Sequence, residues 1–165
     1  MKKVELKIAF SEYENASELS PVEQELIKKA IDACDSAYAP YSDFHVGAAL
    51  LLDNGVIITG NNQENVAYPS ALCAERVAIY YAGSQHPNVA VKTVAITCKS
   101  DTVHLTEPLS PCGACRQAMA EYETRHNSKI KVILVGDTNK IIVVDSVADL
   151  LPFMFKAEEL KKSQH

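Results

Sequence analysis

The sequence predicts an α/β layer fold, a mixed five-stranded sheet flanked by helices. Three observations carry that expectation. Short apolar runs rich in Val and Ile, bounded by turn residues, alternate with segments of helical period. An Asn-Gly pair between two such runs marks a hairpin of adjacent antiparallel strands. The chain has 165 residues, with 47% hydrophobic and 22% charged, enough for one domain with a real core and too apolar for disorder.

The elements follow in order. Val4, Leu6, Ile8 and Phe10 alternate with Lys3, Glu5 and Lys7, the pattern of a half-buried strand able to pair along a sheet edge. Residues 11–19 read as a polar connection. Ser20-Pro21-Val22-Glu23 then combines an N-cap hydroxyl, a proline at the first helical position and a capping-box glutamate. With Val22, Leu26, Ala30 and Cys34 recurring behind it, a helix is expected over 21–37. Residues 46–52 and 56–59 flank Asp53-Asn54-Gly55 and form the hairpin. After a polar loop at 60–69, a helix over 72–82 is expected to end at Gly83 as its C-terminal cap. A strand over 94–98, a helix over 112–122 and strands over 131–135 and 141–144 come next. Short helical stretches over 147–151 and 157–162 close the sequence.

Charge narrows the function. The 16 Lys and Arg against 21 Asp and Glu give a net charge of -5, with no long basic run, the wrong balance for a nucleic-acid backbone binder. The N-terminus has no uninterrupted apolar stretch of a signal peptide, and no run is long enough for a membrane span. A soluble, cytoplasmic protein without nucleic-acid or membrane partners is the expectation. The five cysteines, at 34, 73, 98, 112 and 115, are then more useful as ligands or catalysts than as disulfides.

Two segments concentrate chemistry: Cys73-Ala74-Glu75 at one helix start and Pro111-Cys112-Gly113-Ala114-Cys115-Arg116-Gln117 at another. Cys112 and Cys115 lie one helical turn apart, so their sulfurs can converge on one ion, and Cys73 can supply a third ligand from a neighbouring helix start. Three ligands leave the fourth tetrahedral position to water, the arrangement of a catalytic zinc site. Glu75, two residues from Cys73, is placed to accept a proton from that water. Zinc with three thiolates carries a net negative charge, which the two helix N-termini and Arg76 would offset. Plainer readings exist for each part alone. C-x-x-C also serves as a redox dithiol, Glu75 as a solvated first-turn carboxylate, Asn61 to Asn65 as a polar turn and Phe44 as a core residue. C-x-E followed by P-C-x-x-C is, in combination, the cysteine form of the signature of zinc-dependent nucleobase deaminases.

At these residues the chain resembles the cytidine deaminases of the small, homotetrameric, zinc-dependent class. The likeness extends through Ala39-Pro40-Tyr41-Ser42, Phe44-His45-Val46-Gly47-Ala48-Ala49-Leu50 and Gly60-Asn61-Asn62-Gln63-Glu64-Asn65, and covers about 38–155. It implies a three-layer cytidine-deaminase-like fold, with residues 1–19 as an N-terminal extension and 20–165 as a single catalytic domain. It implies one zinc per chain on Cys73, Cys112 and Cys115, and Glu75 as the proton shuttle. It further implies Asn62 and Glu64 on the ribose hydroxyls and Phe44 and Ala74 against the nucleoside. Tyr68 is expected at the pocket wall or an interface. Phe155, after Leu150-Leu151-Pro152, is expected to reach a neighbouring subunit's site in a homotetramer, with Phe153 a nearby alternative. Cys34 and Cys98 match no ligand and read as small buried hydrophobes. Ala71 stands where many relatives carry glycine.

The expected activity is hydrolytic deamination of cytidine and 2'-deoxycytidine to the uridines and ammonia, in pyrimidine salvage. One alternative is a deaminase of the same fold acting on another aminopyrimidine such as blasticidin S. The other is a non-enzymatic zinc or redox protein.

Overall fold

A computed structural model describes residues 1–136, 138 and 140–156. Its sheet has six strands in the order β1-β6-β5-β4-β2-β3: β1 (Ser11–Tyr13), β2 (His45–Leu52), β3 (Ile57–Asn61), β4 (Val91–Lys99), β5 (Lys131–Val135) and β6 (Ile141–Val144). β4 and β5 run parallel and every other neighbouring pair is antiparallel, so the sheet is mixed as expected. The one parallel pair is the one joined through a helix, since a parallel return must cross back over the sheet.

Helix α1 (Pro21–Cys34) covers one face, while α2 (Ala74–Gln85) and α3 (Gly113–His126) cover the other, with the short α4 (Val147–Leu150) beyond. Strand alternation sorts the core between them. Ala48, Leu50, Ile96, Val132 and Leu134 pack with Ile79 of α2 and Met119 of α3. Ala49, Ala95, Ile133 and Val143 pack with Leu26, Ile27 and Ala30 of α1. The result is three layers with the sheet buried on both sides.

Local signals in the sequence form as read. Ser20 and Glu23 make the reciprocal capping box, with Ser20 N donating to Glu23 Oε2 at 3.0 Å and Glu23 N to Ser20 Oγ at 3.4 Å. The Asp53-Asn54-Gly55 turn closes through Gly55 N to Leu52 O and Leu52 N to Val56 O, each 2.9 Å. Several expectations need correction. The alternating residues 4–10 form no strand; the pairing edge is taken by Ser11–Tyr13, the sixth strand, because β6 is only four residues long and its register with β1 stops at Ser11 opposite Val143. α1 ends at Cys34 rather than 37, where the amides of Ser36 and Ala37 bond three residues back and tighten the chain into a turn.

α2 begins at Ala74, since Leu72 pairs with Gln63 instead, and it runs past Gly83 to Gln85. Gly83 is a packing residue, not a cap: a Cβ there would lie 2.2 Å from the Tyr122 hydroxyl of α3. α3 continues to His126, and Asn127 in the left-handed conformation (φ 47°) ends it. α4 stops at Leu150 rather than 151. The stretch expected over 157–162 lies outside the described residues. No helix among the described residues is long and apolar enough to cross a membrane.

Candidate metal centre and active site

Cys73 is the N-cap residue of α2 and Cys112 that of α3, and neither cap is satisfied by a side-chain hydrogen bond. Cys115 sits in the first turn of α3, fully buried. The three sulfurs lie within 4.8 Å of one another, with Cys112 and Cys115 at 3.5 Å. Sulfurs bound at a Zn–S distance of about 2.3 Å to one tetrahedral ion stand about 3.8 Å apart, so these donors fit zinc in both number and spacing. The N-termini of two helices meet at this corner, and their dipoles favour negative charge there. Arg76 adds a full cation: its Nη2 donates to Cys73 Sγ at 3.5 Å, and its Nε is buried with no partner among the described residues.

The titration of these groups reflects their crowding. The hydrogen bond from Cys115, followed by the Arg76 guanidinium, pulls the Cys73 thiol down to about 5 against the cost of burial. Cys115 is pushed up by the same bond and by burial. One sulfur holds the negative charge while another keeps its proton, and a divalent cation is what would let them all ionise. Glu75, 4% exposed, has its carboxyl raised above the usual range, chiefly by burial. Raising the carboxyl in this way favours its protonated form and suits it to passing a proton on as well as taking one.

Cys73, Glu75 and Cys112 line a cavity of about 410 Å³, a volume typical of small-molecule sites. Phe44, Asn62, Glu64, Tyr68 and Arg76 line it too, so the structure brings together most residues singled out from the sequence. Asp43, in the left-handed conformation (φ 55°), turns the chain into Phe44 and β2. Asn62 is committed to the backbone around it, accepting from Val46 N at 2.7 Å and donating to Phe44 O at 2.8 Å. One N–H and one lone pair of its amide remain for a ligand. Glu64 accepts from Ser42 Oγ and from Tyr41 N at 2.8 Å, and the Ser42 bond foremost holds its carboxyl below the usual range.

Three residues stand differently. Ala74 has its side chain in the core and opens α2 with its backbone. Tyr68 is 75% exposed and meets Tyr41 edge-on, ring centres 6.2 Å apart. Phe155 is 73% exposed and outside the cavity, with its backbone bracketed by Gln117: N to Oε1 and O to Nε2, both 3.0 Å. The cavity also has Ser42, Val46, Leu72 and Leu109 on its walls, which the sequence reading did not assign. Leu109 stands three residues before Cys112 and was within reach of a motif argument. Ser42 reaches Glu64 across 22 positions, which no spacing rule flags.

The comparisons with known proteins agree. A family model for the cytidine and deoxycytidylate deaminase zinc-binding region matches residues 20–142. A protein named cytidine deaminase from Halalkalibacterium halodurans is 44% identical over 137 residues, 83% of this chain and 96% of that one. One from Sporosarcina psychrophila is 39% identical over 137 residues, 83% of this chain and 93% of its own length. Among solved structures, the cytidine deaminase of Burkholderia pseudomallei superposes with a TM-score of 0.70 at 36% identity, covering 79% of this chain and 97% of that one. That of Mycobacterium tuberculosis gives a TM-score of 0.63 at 30% identity, covering 82% and 98%. With its three converging cysteines and buried glutamate inside the matched region, the chain belongs to the cytidine and deoxycytidylate deaminase zinc-binding family.

Proposed function

We propose that this chain catalyses the hydrolytic deamination of cytidine and 2'-deoxycytidine, giving uridine or 2'-deoxyuridine and ammonia, with one zinc ion per chain. The observation that carries the reading is Glu75, buried beside the three converging sulfurs and lining the same cavity as Cys73 and Cys112. Cys73, Cys112 and Cys115 would hold a zinc ion, which when bound would supply Lewis-acid activation of the attacking water. The Glu75 carboxylate accepts a proton from that water and delivers it to N3 of the pyrimidine as oxygen adds to C4. A second proton passes through Glu75 to the amino group, which leaves as ammonia, so one water is consumed for each base converted. Arg76 and the two helix N-termini hold the charge of the thiolates.

Phe44 packs against the nucleoside, the Ala74 backbone borders it, and Glu64 with the free capacity of Asn62 takes the ribose hydroxyls. A carboxylate and an amide two positions apart on an extended segment face the same way, which suits two vicinal hydroxyls. The catalytic domain begins near residue 20, where the family match starts, and residues 1–19 precede it as an extension. In this reading the enzyme serves pyrimidine salvage in the cytoplasm as a homotetramer. Phe155 of one subunit, exposed and held by Gln117, completes a neighbour's pocket near its Tyr68.

The test is turnover of cytidine by purified, metal-quantified protein, followed by loss of the aminopyrimidine absorbance and release of ammonia. Turnover proportional to zinc, saturating at one per chain, is the expected result. A fully zinc-loaded protein that leaves cytidine and deoxycytidine intact would overturn the substrate assignment while leaving the metal centre standing.

A further inference from the structure

The segment that precedes β1 is built like a strand and has nothing to pair with among the described residues. Residues 1–10 carry no regular secondary structure and are exposed throughout, including Val4 at 81%, Leu6 at 64%, Ile8 at 46% and Phe10 at 57%. They continue directly from β1, but β6 ends at Val144, one register position beyond the Val143 that faces Ser11. They also lie outside the stretch matched by the family, which starts at residue 20. From Val4 to Phe10 every second residue is apolar, and the other face reads Lys3, Glu5, Lys7, Ala9. A strand with one apolar face and an unpaired backbone is a template for another strand.

We propose that the N-terminal segments of two copies of this chain pair as antiparallel strands centred on Leu6, with Glu5 of each copy opposite Lys7 of the other. Charge complementarity and apolar pairing together select the partner and the register. Residues directly opposite share a face, where opposite charges stabilise and like charges destabilise. A parallel in-register pair would set Lys3, Glu5 and Lys7 each against its twin. An antiparallel pair centred on Glu5 sets Glu5 against itself and Lys3 against Lys7; centring on Lys7 sets that lysine against itself. Centring on Val4 pairs Glu5 with Lys3 but sets Leu6 against Lys2, so that among residues 1–7 the one apolar pair on that face is Val4 with Val4. Only the register centred on Leu6 makes two Glu5–Lys7 pairs on one face while keeping Val4 opposite Ile8 and Leu6 opposite Leu6 on the other, with Lys2 opposite Phe10 at either end. The segment is thus self-complementary in one arrangement, as a two-fold interface requires.

That symmetry supplies its own test. In Glu5→Lys alone, the introduced lysine meets Lys7 across the pair, and in Lys7→Glu alone, the introduced glutamate meets Glu5. A mixed pair of the two variants restores both opposite-charge contacts, and only between different chains. Amide hydrogen exchange of residues 4–8 is measured on the parent, on each variant, and on the two variants co-expressed with different tags and isolated as the mixed assembly. The expected result is exchange slowed at least about tenfold in the parent, lost in each single variant and recovered in the mixed assembly. Unprotected amides in the parent would overturn the proposal. So would protection that survives in both single variants, which would place the segment against another surface such as residues 157–165 of its own chain. Failure of the mixed assembly to recover protection would do the same.

Discussion

Cys34 and Cys73 are the same residue type on opposite faces of one sheet, and their surroundings make them chemically unlike. Cys34 closes α1 at its C-terminal end, wholly buried, with its thiol directed at the carbonyls of Ala30 (3.5 Å) and Thr97 (3.9 Å). Burial pushes that thiol up to about 11, so it stays protonated and behaves as a small apolar side chain. Cys73 stands at the opposite kind of helix end, before the first turn of α2, with a donating thiol and a guanidinium beside it, and is drawn down to about 5. Oxygen acceptors and the negative end of a helix dipole suppress a thiolate; N–H donors, a cation and the positive end create one. Reactivity here is set first by surroundings, burial for Cys34 and the Cys115 thiol with the Arg76 guanidinium for Cys73, and the helix ends act in the same sense.

The sharpest way to break this contrast is to remove each sulfur in turn. Cys73→Ala should abolish stoichiometric zinc and with it turnover, whereas Cys34→Ala should keep one zinc per chain and near-parental activity; elemental analysis beside an activity assay reads both. Loss of zinc in Cys34→Ala would mean that the α1 face is coupled to the metal corner after all. Next in size is Glu75→Gln, which keeps the buried shape but cannot carry a proton. It should retain zinc and folding while kcat falls at least about 10²-fold. Arg76→Ala should weaken zinc binding by about 10–100-fold, the usual cost of losing a partner that orients or neutralises a ligand, as read by competition with a chelator. Affinity unchanged in that variant would assign charge compensation to the helix N-termini alone.

Legibility in the sequence followed the range of the interaction. The capping box at Ser20 and Glu23 and the Asn54-Gly55 hairpin need only near neighbours, and both formed as read. The Cys112–Cys115 pair is one helical turn and was equally plain, while bringing Cys73 to it required only the assumption that two helices start at the same edge. Long-range constraints were hidden. The N-terminal alternation is a genuine strand pattern, but a strand also needs a neighbour, and β6, some 130 positions away, is too short to serve residues 4–10. Gly83 looked like a helix stop because its reason for being glycine is Tyr122, which lies on another helix. Asn62 was assigned to a ligand from its motif, yet much of its amide is held by the backbone of Phe44 and Val46, a partnership no spacing shows.

On the α1 face the contrast can be sharpened through packing. A Cβ at Gly47 of β2 would fall 2.0 Å from Ala30 O and 2.9 Å from Cys34 Sγ, so α1 must shift from the sheet to admit it. Gly47→Ala should therefore cost about 1–3 kcal/mol of stability, seen as a lower denaturation midpoint, while zinc content stays at one per chain. An unaffected midpoint would show that α1 rides loosely over β2 and that burial of Cys34 is less complete than its position implies.

The smallest effect is expected at the edge of the cavity, where Ser42 donates to Glu64. That bond is the foremost cause holding the Glu64 carboxyl below its usual range, so Ser42→Ala should move its titration to higher pH. The sign follows from which form accepts the bond: the ionised carboxylate accepts the Ser42 hydroxyl's hydrogen bond best, and without the donor the neutral form is relatively favoured. Tyr41 N still donates to the carboxylate, so Glu64 stays ionised at neutral pH and the chemical step is untouched. The loss should appear as a KM for cytidine raised about 2–5-fold with kcat unchanged, the range of one exposed hydrogen bond that orients a binding group. A fall in kcat with KM unchanged would mean that Ser42 acts on the reacting base rather than through the ribose contact, and Glu64 would lose the role proposed for it.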